Sequence, residues 1–129
     1  MIAVVSTSGG AYAVDLDEDE VEPWSGELSP PATLELNLPR LIAADAAGST
    51  VVAVVDTKPP LVVSHDAGVT WRESGRGLPA GRAVAISIDD PDVAVVAARN
   101  RLYLTRDGGV FWSAVPAELP EIEAVELRS

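Results

Sequence analysis

The chain has 129 residues, 47% of them apolar, enough for one buried core and one domain. It has no cysteine, which excludes disulfides and thiol chemistry and gives no sign of an oxidising compartment. Twenty acidic residues against nine basic ones leave a net charge of -11, the opposite of a nucleic-acid-binding composition. The first stretch, IAVVSTSGG, lacks a basic flank and is broken by Ser and Gly too early for a signal peptide or a bilayer span, so a cytoplasmic protein away from membranes is expected.

The predicted elements are strands throughout. Short runs of Val, Ile, Ala and Tyr are bounded by turn residues, and no stretch sustains a 3.6-residue period. The first group, 2–28, contains IAVVSTS, AYAVDL and VEPWSG, separated by a Gly9-Gly10 turn and the acidic turn DLDEDE. A long connector, GELSPPATLELNLPR, leads to the second group, 38–75. There PRLIAADAAG is the best helix candidate in the chain, and its place in the repeat assigns it to a strand instead. VVAVVDTKPPLVVSHDAGVTW then reads as strand, turn, strand, acidic turn, strand. The third group, 83–116, gives strands at 83–90, 93–99, 102–106 and 110–115, with DDPD, RN and DGG as turns suited to an antiparallel meander. IEAVELRS, 122–129, remains as a closing strand.

Trp24, Trp71 and Trp112 recur at a spacing typical of repeated four-stranded units. Before the last two stand SHDAGVTW (64–71) and TRDGGVFW (105–112), with a shared skeleton of hydroxyl, Asp, Gly and Trp: Ser64, Asp66, Gly68, Thr70 and Trp71, then Thr105, Asp107, Gly109 and Trp112. A short carboxylate can accept backbone N–H groups of a tight turn, glycine permits the positive φ such a turn needs, and the Trp can pack between sheets. These residues are therefore expected to be structural, with no catalytic residue among them. Over DEDEVEPW the first copy keeps only Asp19 and Trp24.

SHDAGVTW resembles the Asp box of bacterial neuraminidase repeats, Ser-x-Asp-x-Gly-x-Thr-Trp, at every specified position, and TRDGGVFW departs at Thr105 and Phe111. The resemblance covers essentially the whole chain. It implies an all-β fold of three four-stranded antiparallel β-propeller blades, a half-propeller, with each box between the third and fourth strands. Sialidases of that family use an arginine triad, a Tyr-Glu pair and an acid-base Asp, and no residue here falls in a motif matching them. A non-catalytic binding or scaffold module is thus expected, with a glycan-active hydrolase as the alternative. No cofactor or metal is expected either. DLDEDE lacks the turn glycine and distal Glu of a calcium loop, His65 is the only histidine, and Gly9-Gly10 opens no helix.

In an up-and-down blade the turns after strands 1 and 3 share one end and those after strands 2 and 4 the other. The first end should be acidic. The second collects Arg40, Lys58, Arg76, Arg82, Arg99 and Arg101, the candidate binding residues for an acidic protein or an anionic small ligand. One lysine, many carboxylates and abundant small residues resemble the composition of salt-loving archaeal proteins; arginine-biased codon usage in an ordinary acidic protein is the other reading. Finally, the first group lacks an innermost strand and 122–129 is a strand to spare. The expectation is a homodimer that exchanges C-terminal strands to close a six-bladed ring, because three blades span half a ring and put the chain ends across a diameter.

Overall fold

A computed structural model describes residues 1–26, 28, 36 and 38–128. Among them are twelve strands and no helix: β1 (Ile2–Thr7), β2 (Gly10–Asp15), β3 (Glu20–Pro23), β4 (Leu41–Ala47), β5 (Thr50–Val55), β6 (Leu61–Ser64), β7 (Arg72–Ser74), β8 (Ala83–Ile86), β9 (Ala94–Ala97), β10 (Leu102–Thr105), β11 (Ser113–Ala114) and β12 (Ile122–Arg128). They form three four-stranded sheets, β12-β1-β2-β3 (sheet I), β4-β5-β6-β7 (sheet II) and β8-β9-β10-β11 (sheet III), with every pairing antiparallel. PRLIAADAAG is a strand, as its place in the repeat implies. The fourth strand of sheet III starts at Ser113 rather than at 110, because the turn before it runs through Trp112.

Sheet III lies between the other two. Ala83, Ala85, Val95, Ala97 and Leu104 pack with Ala3, Val5, Val14 and Ile122 of sheet I. The alternate residues Val84, Ile86, Ala94 and Val96 pack with Val52, Val54, Leu61 and Val63 of sheet II. A sheet buried on both faces has no polar face to alternate with, which is why β8 and β9 read as the unbroken runs AVAI and AVVA. At the other extreme, β3 is the exposed edge Glu-Val-Glu-Pro, whose charges and proline blunt it against further pairing. Asp45 ties two sheets: its Oδ2 accepts the Ile86 N–H at 2.8 Å across the β4–β8 seam.

The expected exchange of C-terminal strands is not what the chain does. β12 pairs with β1 of the same chain, from Ile2↔Arg128 to Thr7↔Ile122. The premise that failed is the order of units in space. The sheets do not follow one another as I, II, III; they stand as II, III, I, so the strand that follows sheet III emerges beside β8 and β9, next to β1. Nor are the faces that the expected seam required bare among the described residues. On the faces turned away from sheet III, Val4 and Ala53 are 0% exposed, and Val51 and Val55 are buried. Arg128 shares the Val4 face by register and stacks 5.0 Å over the Trp24 ring.

The strand ends fall into two sets. The turns 16–19, 65–71, 87–93 and 106–112 lie together, held by Arg106 to Asp17 (3.1 Å), Gly108 N–H to the Asp92 carbonyl (3.0 Å) and the His65 ring against Gly108. The turns 56–60, 75–82, 98–101 and 115–121 lie at the opposite end, joined by the Leu119 N–H to Asn100 carbonyl bond and the Arg82–Glu121 ion pair. No helix of the described residues is long and apolar enough to cross a membrane.

Candidate functional site

The acidic end is built on two turns of one design. In the first, the Ser64 hydroxyl donates to Asp66 Oδ1 (2.7 Å) and accepts the Gly68 N–H (2.8 Å). Asp66 in turn accepts the Thr70 N–H on Oδ1 (2.9 Å) and the Thr70 hydroxyl on Oδ2. In the second, Thr105 Oγ1 donates to Asp107 Oδ1 (2.8 Å) and accepts the Gly109 N–H (3.0 Å), and Asp107 Oδ1 accepts the Phe111 N–H (3.0 Å). Gly68 and Gly109 sit at φ of 89° and 91°, where a side chain would strain the backbone. These donors favour the ionised carboxyl. Bonds from Thr70, first its hydroxyl and then its N–H, hold Asp66 at about 2, and the Phe111 N–H followed by the Thr105 hydroxyl lowers Asp107. Carboxylates so held are acceptors for their own turns and poor proton donors.

The aligned first copy does not form this turn. β2 ends at Asp15, which is paired with Glu20, so the hairpin closes over residues 16–19 and has no room for the longer turn. By strand ends, Asp15 stands where Ser64 and Thr105 stand, and its Oδ1 accepts the N–H groups of Asp17 (3.0 Å) and Glu18 (3.2 Å). Asp19 falls in the glycine place, at φ 56°. Asp17, in the place of Asp66, is lowered first by a hydrogen bond from the chain's amino group and further by Arg106. Trp24 lies beyond β3, at the other end of the hairpin, and its buried Nε1 has no partner among the described residues.

The two tryptophans of the longer turns differ. Trp112 Nε1 donates to Ser74 Oγ of sheet II (2.9 Å), and that hydroxyl donates to the Gly109 carbonyl, so one serine joins the turn of sheet III to β7. Trp71 lies over its own Gly68. Sequence reasoning passed over both Ser74 and Asp45; the only hint for Asp45 was a lone carboxylate inside an apolar strand.

At the opposite end the structure places all six candidate cations. Arg40 is at the entry to β4, its carbonyl accepting the Asp56 N–H (2.9 Å). Arg82 is paired with Glu121 (2.6 Å) and Arg101 with Glu118 (3.6 Å), while Arg99 is exposed in the β9–β10 turn. Lys58 and Arg76 come together. They line a groove of about 520 Å³ whose other walls are Pro59, Pro60, Leu78, Gly77 and Glu73. Neither cation makes an ion pair among the described residues. Of the connector GELSPPATLELNLPR, Glu27, residues 29–35 and Asn37 lie outside the described residues.

No group of three or more His, Cys, Asp or Glu among the described residues is placed to hold a metal ion. Comparison with known proteins gave no match: no family model fits the chain, and no curated protein or solved structure is significantly similar to it.

Proposed function

We propose that the chain is a non-catalytic binding and scaffold module of the Asp-box β-propeller type, working in the cytoplasm as a homo-oligomer and capturing an acidic protein surface at its basic end. The observation that carries this reading is the Lys58–Arg76 groove. Two cations that make no ion pair among the described residues share its lining with Pro59, Pro60 and Leu78, and Glu73 is the one carboxylate among the described residues that line it. Such a groove suits a carboxylate flanked by an apolar side chain, with the cations supplying orientation and association rate and the apolar lining supplying affinity. Arg82 and Arg101 are committed to Glu121 and Glu118, which leaves them a framing role. The hydrolase alternative needs two carboxyls facing a shared substrate position, and Asp66 and Asp107 are engaged by their own turns.

Fluorescence anisotropy with a labelled peptide of alternating Glu and Phe tests the reading. Lys58→Glu with Arg76→Glu should weaken binding by at least about tenfold, and Glu73→Gln should strengthen it a few-fold. Binding retained in the double reversal would remove the groove as the site. The net charge of -11 also makes the fold salt-dependent in this reading. The thermal midpoint should rise between low salt and about 2 M salt as self-repulsion is screened, and an unchanged midpoint would remove the halophilic assignment.

A further inference from the structure

The acidic end carries large apolar side chains that the fold leaves in solvent. Val69 is 78% exposed, Val110 79%, Phe111 70% and Ile88 85%. Val69 and Val110 hold the same place in the two repeat turns, immediately after the glycine at positive φ. The bonds that hold Asp66 and Asp107 to their own turns are thus accompanied, twice, by an exposed apolar residue directly after the turn glycine. The two turns are neighbours, since a Cβ on Gly108 would lie 3.2 Å from Cε1 of His65. The result is a crest of apolar tips set among carboxylates.

The antiparallel meander fixes where the crest lies relative to the groove. In sheet II the 65–71 turn closes one end of β6 and the 56–60 turn closes the other, so Val69 and Lys58 are at opposite ends of the same sheet. One end thus offers apolar tips with carboxylates, and the other a groove lined by apolar side chains and cations. We infer that the acidic surface taken by the Lys58–Arg76 groove is the Val110–Phe111 crest of a second copy of this chain, docked head to tail along the strand direction. The inference rests on the groove being a binding site and names its partner. A head-to-tail contact is heterologous: a docked pair keeps one free crest on one copy and one free groove on the other, so it propagates instead of stopping at a dimer. Overall repulsion between acidic copies opposes it, and screening at moderate salt should let the apolar contact and close ion pairs act.

Sedimentation velocity of the full chain in about 0.5 M salt, where the Debye length falls below about 5 Å, reads the outcome. The wild type should show a mass that keeps climbing over a hundredfold range of concentration. Val110→Asp with Phe111→Asp, and separately Lys58→Glu with Arg76→Glu, should each hold the protein monomeric, with circular dichroism unchanged because all four side chains are exposed. An equimolar mixture of the two should form a one-to-one dimer and nothing larger, since only one intact crest and one intact groove remain per pair. A closed dimer unaffected by either double variant, or a mixture that stays monomeric while the wild type associates, would overturn the inference. A wild type that stays monomeric yet binds the Glu-Phe peptide through Lys58 and Arg76 would overturn the self-docking and leave the groove's function standing. Failure of both measurements would remove the two together.

Discussion

Gly68 and Gly109 hold the same place in two turns of the same shape, yet their surroundings differ. Gly109 is buried, and a Cβ there would come within 3.1 Å of Val63 Cγ2 and 3.2 Å of Ser74 Oγ; at Gly68 the nearest atom would be 3.5 Å away, in the ring of Trp71 from the same turn. The local sequence writes the turn, and the neighbouring sheet decides what the turn is used for. At 105–112 it is a joint between sheets III and II through Trp112 and Ser74. At 64–71 the same bonds serve the turn and its own Trp.

The largest consequence of that difference should appear at the tryptophans. Trp112→Ala removes packing and the bond to Ser74, costing about 3 kcal/mol, whereas Trp71→Ala should cost less than about 1 kcal/mol. Urea unfolding of both variants measures the gap, and equal losses would break the comparison. Ser74→Ala should cost about 1–2 kcal/mol, because the Trp112 indole N–H and the Gly109 carbonyl lose the same partner. Combined with Trp112→Phe it should cost less than the sum of the two single changes, since both act on one bond; full additivity would place the contribution of Ser74 elsewhere.

Smaller effects separate the two carboxyls. A group whose folded value is depressed contributes stability that is fully present above its unfolded value and is lost as pH falls through the folded one. The contribution of Asp66 should therefore fade from about pH 3.8 down through about 2. Asp107 is also lowered but lacks a threonine hydroxyl on its second oxygen, so it should titrate at a higher pH than Asp66 when side-chain carbons are followed by NMR. The reverse order would contradict the role given to Thr70. The smallest expected change sharpens the same point: Phe111→Thr should move the titration of Asp107 towards that of Asp66 in dilute protein, where self-docking does not enter, and an unmoved Asp107 would contradict the role given to the threonine hydroxyl.

Strand type was legible along the described residues because turn residues punctuate short β-branched runs, and the segregation of charge to two ends followed from counting hairpins. Lys58 and Arg76 were legible as members of the basic end, though not as the pair that meets. That depended on how the 56–60 and 75–82 turns pack, which no spacing records. Ser74 and Asp45 were missed because a polar residue in a strand looks solvent-facing until the neighbouring sheet is known. The first repeat was misaligned by anchoring on Trp24, when the closure of its hairpin at Asp15 and Glu20 sets a shorter turn. The order of the sheets in space was beyond local pattern altogether, since it depends on which apolar faces pack together across sheets.

Sheet I is assembled from opposite ends of the sequence, with Ile2 opposite Arg128 and β1 held between β2 and β12. This arrangement has a kinetic cost. Sheets II and III can form from contiguous hairpins, but the edge of β1 stays bare until nearly all of the described chain has been made, and its closure carries the largest loop entropy in the molecule. Sheet I should be the last to gain hydrogen-exchange protection during refolding, and an excess of charge on the growing chain is one way to keep its waiting edge from pairing with the wrong strand.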